Sequence, residues 1–191
     1  MKVDIIGASN IAISMYKDFY GEYKVTMEIN LETVLQEKME GELNSFVAFT
    51  IAKNGDVEKS YTDFCDGIVS GDILILQGEG NDAGMNIEIG NVNSKDINTY
   101  YGALNYISSY IKKKYKIIVF TTGFNPNGES EYDLYNKAIK DVAEENDFIL
   151  IDFYKNDLFR GKEMLPDNEH MSEKALKKYA EFLLEKIIWK R

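Results

Sequence analysis

Asp72-Ile73-Leu74-Ile75-Leu76-Gln77-Gly78-Glu79-Gly80-Asn81-Asp82 joins four consecutive apolar residues to a polar, glycine-containing turn. An apolar run of this length reads as a strand buried on both faces, the kind found in parallel sheets. Similar runs recur at residues 3–6, 46–51, 116–121 and 148–152. Between them, residues 11–20, 31–40, 61–69, 95–114, 129–145 and 172–189 carry helical periodicity. In the last of these, Ala175, Leu176, Tyr179, Phe182, Leu183 and Ile187 share one stripe opposite lysines and glutamates. Residues 24–29 alternate briefly, as an extra strand or an irregular connection. Strand runs alternating with amphipathic stretches predict an α/β fold, a parallel sheet flanked by helices.

The 191 residues read as one domain, large enough to bury roughly 70% of the surface the unfolded chain exposes. A hydrophobic content of 45% with two prolines describes a compact chain without low-complexity linkers. Lysines and arginines number 22 against 32 acidic residues, a net charge of -10 spread along the sequence, which argues against a nucleic-acid partner. Cys65 is the single cysteine and His170 the single histidine, so an internal disulfide and a histidine-based metal cluster are excluded. Cys65 lies on the apolar side of a short predicted helix, as a buried thiol would. The aromatics Tyr16, Phe19, Tyr20 and Tyr23 fit a helix packed in the core better than a pocket wall. The first seven residues form a strand-length run and not a signal peptide, and no stretch reaches the roughly 18 apolar residues of a membrane span. A cytoplasmic location is expected.

In an open parallel sheet, ligands bind outside the C-terminal ends of the strands. The residues that follow the runs are therefore the ones to read for chemistry. They are Gly7-Ala8-Ser9-Asn10, Ala52-Lys53-Asn54-Gly55-Asp56, Gly78-Glu79-Gly80-Asn81-Asp82 and Thr122-Gly123-Phe124-Asn125-Pro126. The segment Asp167-Asn168-Glu169-His170 follows the fifth run after a loop. Asp167, three residues before His170, can accept the imidazole Nδ1 proton and leave Nε2 free to serve a nucleophile. The same spacing also suits a surface histidine beside a helix cap. Ser9 sits where a strand turns into a helix, a position that exposes a hydroxyl; Ser9 or Asn10 could equally be the helix N-cap. Gly55 and Asn81 are ordinary turn and loop residues, or donors for a developing oxyanion. The glycines after the first run match neither a dinucleotide fingerprint nor a phosphate-binding loop, and no cofactor is expected.

Taken in order, these blocks resemble the SGNH hydrolases, also called GDSL-type esterases and lipases. Gly7-Ala8-Ser9 resembles the first block of that family, Asn54-Gly55-Asp56 the second, Gly80-Asn81-Asp82 the third and Asp167-Asn168-Glu169-His170 the fifth. Residues 148–152 resemble the strand ending in aspartate before the last block. The resemblance covers nearly the whole chain. It implies a three-layer α/β/α, flavodoxin-like fold with a five-stranded parallel sheet. It also implies Ser9 as nucleophile, His170 as general base and acid, and Asp167 as the residue that orients His170. The oxyanion hole would be the backbone N–H groups of Ser9 and Gly55 with the Asn81 amide. Two positions depart from the family pattern: Ala8 replaces an aspartate, and Glu79 stands where glycine is usual, with Gly78 and Gly80 on either side.

The expected activity is hydrolysis of short acyl esters through an acyl-enzyme, with O-acetyl groups on carbohydrates as one candidate. The expected partner is a small-molecule or carbohydrate ester. Acyl transfer from the same site, or carbohydrate binding without catalysis, are the alternatives.

Overall fold

The computed structural model describes residues 1–54, 59–67, 70–78, 80–124, 131–154 and 156–188. Its central sheet contains β1 (Lys2–Gly7), β4 (Glu42–Val47), β5 (Gly71–Gln77), β6 (Tyr115–Thr121) and β7 (Ile149–Ile151). The order across the sheet is β4-β1-β5-β6-β7, and every neighbouring pair is parallel. A separate antiparallel hairpin joins β2 (Ser14–Lys17) to β3 (Tyr23–Thr26).

The two layers that flank the sheet follow from strand alternation. Val3, Ile5, Ile73, Ile75, Val119 and Ile151 pack on one side against α2 (Leu31–Lys38) and α6 (Glu173–Ile188). Ile6, Leu74, Leu76, Ile118 and Phe120 face α4 (Tyr100–Ile111) and α5 (Glu131–Glu145) on the other. Since successive side chains point to opposite faces, a strand with core on both sides must be apolar at consecutive positions. The result is the expected three-layer α/β/α arrangement with a five-stranded parallel sheet.

Several boundaries differ from the sequence expectation. Residues 11–20 do not form a helix: α1 is one turn (Ser9–Ala12), and the chain then enters β2. Ile11 and Met15 are both buried, so their four-residue spacing imitates a helix although Met15 belongs to a strand. The second sheet strand is Glu42–Val47 and not 46–51, because β4 is an edge strand with only partial burial. The fully apolar residues beyond it, Ile51 and Ala52, lie buried in the loop after the strand. Residues 61–67 form a 3-10 helix, α4 starts at Tyr100 and not near 95, and β3 occupies the start of the segment with brief alternation. α2 opens on a reciprocal cap in which the Asn30 side chain accepts from the Thr33 N–H and the Thr33 hydroxyl accepts from the Asn30 N–H.

On α6, Ala175, Leu176, Tyr179, Ala180, Leu183 and Ile187 are buried, close to the predicted stripe. Tyr179 stacks on Phe153 with ring centroids 4.3 Å apart, and its hydroxyl lies 2.8 Å from that of Thr121 on β6. This face anchors α6, and with it the segment that carries His170. Leu176→Ala should cost about 2–5 kcal/mol in urea unfolding, through lost burial and an unfilled cavity; a change below about 1 kcal/mol would show that α6 is not anchored this way.

Candidate active site

β1 delivers the chain to Ser9 through a tight turn. A Cβ on Gly7 would lie 2.7 Å from the Gln77 side-chain oxygen and 2.9 Å from Ile11, so the turn closes only around a glycine. Ala8 occupies the N-cap position of α1 and makes no side-chain cap, which corrects the reading of Ser9 or Asn10 as the cap. The turn is held by backbone, with the Ile11 N–H donating to Ala8 O at 3.2 Å and the Ile13 N–H to Ser9 O at 2.8 Å.

The Asp167–His170 segment reaches Ser9 from the other end of the chain. His170 Nε2 lies 3.1 Å from Ser9 Oγ, and His170 Nδ1 lies 2.7 Å from Asp167 Oδ2. A carboxylate can only accept, so the Nδ1 proton is directed to Asp167, and Nε2 presents its lone pair to the serine hydroxyl. The other Asp167 oxygen accepts from the backbone N–H groups of Glu169 at 3.0 Å and His170 at 2.7 Å. Asn168 sits in the left-handed region at φ 70°, which wraps the chain around the carboxylate. The three-residue spacing thus lets one side chain fix both the loop backbone and the ring. Burial pushes the Asp167 carboxyl upward, but the hydrogen bonds from the His170 N–H, the His170 ring and the Glu169 N–H outweigh it and hold the group below the usual carboxylate range. The His170 side chain keeps 20% of its surface exposed and Asp167 37%, so the ring is reachable from solvent.

Asn81 opens α3 (Asn81–Gly84) beyond β5, at the same edge of the sheet. One of its amide protons is given to Phe49 O at 2.9 Å, which leaves the second for another acceptor. Gly55 and Glu79 lie outside the described residues. The glycine requirement of this block is visible at Gly78, where a Cβ would lie 2.4 Å from Thr121 O and 2.8 Å from Gly123 N.

Two side chains at this edge escaped the sequence reading as contributors. Asn10 spans to the backbone on either side of His170, accepting from the Met171 N–H at 3.0 Å and donating to Glu169 O at 3.1 Å. Asp82 is fully buried and accepts from the N–H groups of Ile51 at 2.8 Å and Ala52 at 3.0 Å, which ties α3 to the loop after β4. Both bind backbone groups across long sequence separations, so only their polarity inside an apolar neighbourhood could have marked them. Asp152, the strand-end aspartate, bonds the Thr122 hydroxyl at 3.0 Å and pairs with Lys140.

The aromatic residues expected in the core are not there. Tyr16, Phe19 and Tyr20 are exposed, Phe19 by 97%, because they belong to the hairpin and its tip instead of a packed helix. Cys65 is buried, and burial pushes its thiol up to about 12, which suppresses the reactive thiolate. Among the described residues no group of histidine, cysteine and acidic side chains could hold a metal ion, and no helix is long and apolar enough to cross a membrane.

Sheet order and layers define the fold class: the chain has a three-layer α/β/α fold that is shared with GDSL-like lipases of known structure. A candidate GDSL-like lipase from Bacteroides uniformis is similar at a TM-score of 0.72 and 16% identity, over 97% of this chain and 94% of that one. Axe2, an acetylxylan esterase from Geobacillus stearothermophilus, is similar at a TM-score of 0.58 and 16% identity, over 97% of this chain and 93% of that one. A catalytic mutant of Axe2 carries alanine in place of a serine. No protein-family model matches the sequence, and no curated protein matches it.

The two acidic groups at this edge should titrate with opposite effects on stability. Burial raises the Asp82 carboxyl from 3.8 to about 6, against the backbone N–H groups of Ala52, Ile51 and Asp82 itself, which lower it. Between those values the folded state holds a proton that the unfolded state has lost, so this contribution to stability declines as pH rises through the window and is level above it. Asp167, held low, contributes stability that is lost as pH falls. Asp82→Asn should therefore remove a falling component from the unfolding free energy measured between about pH 4 and 6. An identical slope in wild type and variant would refute the assignment.

Proposed function

We propose that this chain is a serine esterase acting on short acyl esters. The reading rests on one observation, the hydrogen-bonded chain from Ser9 Oγ through the His170 ring to Asp167. Ser9 Oγ attacks the ester carbonyl carbon while His170 Nε2 takes the hydroxyl proton, and Asp167 stabilises the resulting imidazolium. The oxyanion of the tetrahedral intermediate is received by the backbone N–H of Ser9 and the uncommitted N–H of Asn81, with Gly55 the third donor that the resemblance to the SGNH hydrolases implies. Collapse expels the alcohol, which takes the proton from His170, and leaves the acyl group on Ser9. Water, deprotonated by the same imidazole, then releases the acid and restores the serine.

O-acetyl groups on carbohydrates are the substrate class we favour. An acetylxylan esterase among the similar structures supports it. A small acyl group also suits a site whose general base sits on an exposed loop, without a deep apolar channel as a requirement.

A panel of p-nitrophenyl esters tests both levels of the reading. Acetyl and butyryl esters should turn over faster than long-chain esters, and Ser9→Ala should abolish turnover. Long-chain esters turned over equally well would reject the short-acyl preference; wild-type turnover no greater than that of Ser9→Ala would reject the esterase itself. Asn81→Ala should lower kcat by about 10²–10³, the usual effect of one lost oxyanion donor.

A further inference from the structure

Asn10 is 3% exposed and follows Ser9 directly in the chain. Its side-chain amide meets two backbone groups that flank His170: the Met171 N–H, 3.0 Å from Oδ1, and the Glu169 carbonyl, 3.1 Å from Nδ2. The orientation of the amide is determined by its partners, because an N–H demands the oxygen and a carbonyl demands the nitrogen. The contact spans about 160 residues of sequence yet stands one peptide unit from the nucleophile.

Two separate constraints then act on the imidazole. Asp167 travels with the loop and fixes the ring within it, through Nδ1 and the Glu169 and His170 N–H groups. Nothing in that local set relates the loop to Ser9. On the C-terminal side of His170, Met171 is buried and its carbonyl accepts from the Met15 N–H at 3.0 Å, and Ser172 N–H donates to Met164 O at 2.9 Å. On the N-terminal side, Asp167, Asn168 and Glu169 are exposed, and the Glu169 carbonyl is tied inward by the Asn10 amide.

We propose that Asn10 is a positioning residue whose amide holds the His170 loop in register with α1 and so sets the imidazole at hydrogen-bonding distance from Ser9. This rests on the esterase reading above. Its action is on geometry: a displacement on the order of 1 Å at a reacting pair can cost about 10²-fold in rate.

The test compares Asn10→Ala and Asn10→Asp with wild type. The first removes both contacts; the second keeps the volume and the acceptor for Met171 but sets an oxygen against the Glu169 carbonyl. Steady-state hydrolysis of p-nitrophenyl acetate and the rate of fluorophosphonate labelling at Ser9 read the chemistry, and thermal unfolding checks the fold. In folded variants kcat and labelling rate should fall by about tenfold or more, with KM changed by less than about twofold. Because His170 is the single histidine, its ring nitrogens give one set of NMR signals. Those signals should keep the Nδ1-protonated pattern in Asn10→Ala, since Asp167 moves with the loop.

A folded variant with wild-type kcat and labelling rate overturns the proposal, as does a change confined to KM or loss of the Nδ1-protonated pattern. Should neither variant fold, hydrogen exchange in the wild type decides: slow exchange of the Asn10 side-chain amide and the Met171 N–H supports the contact, and exchange as fast as in an open chain overturns it. The two readings fail separately. Absence of turnover and labelling in wild type sinks the esterase, whereas a fully active folded variant of an active parent sinks the role of Asn10 alone.

Discussion

Burial of the three inner parallel strands, β1, β5 and β6, on both faces governs where this protein can do chemistry. Each of these strands must be apolar at consecutive positions, and helices must cover both surfaces of the sheet. Polar side chains and unpaired backbone groups are thereby driven to the ends of the strands. Parallel strands all end on one edge, so the segments after β1, β4, β5 and β6 are gathered there by topology before any side chain contributes. Ser9, Asn81 and Asp82 follow strands of this set, and α6 returns His170 to the same edge because its stripe packs under the sheet.

The strand runs were legible because that constraint writes itself into consecutive residues, as at Ile73 to Leu76. It is weaker at an edge. β4 alternates between partial burial and exposure, so its own residues give a poor signal, and the stronger apolar run from Phe46 marked its exit instead. The hairpin after α1 stands where the sequence pattern predicts a helix over residues 11–20, for a related reason. Its tip aromatics, Phe19 and Tyr20, pack edge-to-face on each other at 5.6 Å and not into the core, so their spacing reports no buried face.

The Asp167 and His170 pair was legible because its geometry is local, contained in one turn. Asn10 and Asp82 were not, since each serves backbone amides and carbonyls of a distant segment, and every residue type carries those groups. The carboxylates of Asp82 and Asp167 show why residue identity alone is insufficient. Asp82 receives backbone N–H groups from Ile51, Ala52 and its own residue but lies wholly inside the protein, and desolvation wins. Asp167 has a comparable set of donors, gains the imidazole, and keeps contact with water, so hydrogen bonding wins.

The departure at Ala8 fits the same balance. The residue is 1% exposed, and an ionised side chain at such burial needs partners of its own. The turn beside it takes its shape from backbone hydrogen bonds and from the space that Gly7 leaves for Gln77 and Ile11. None of those contacts uses a side chain at position 8. A carboxylate there is therefore dispensable for presenting Ser9, while the polar side chain that joins this turn to the His170 loop sits two residues later, at Asn10.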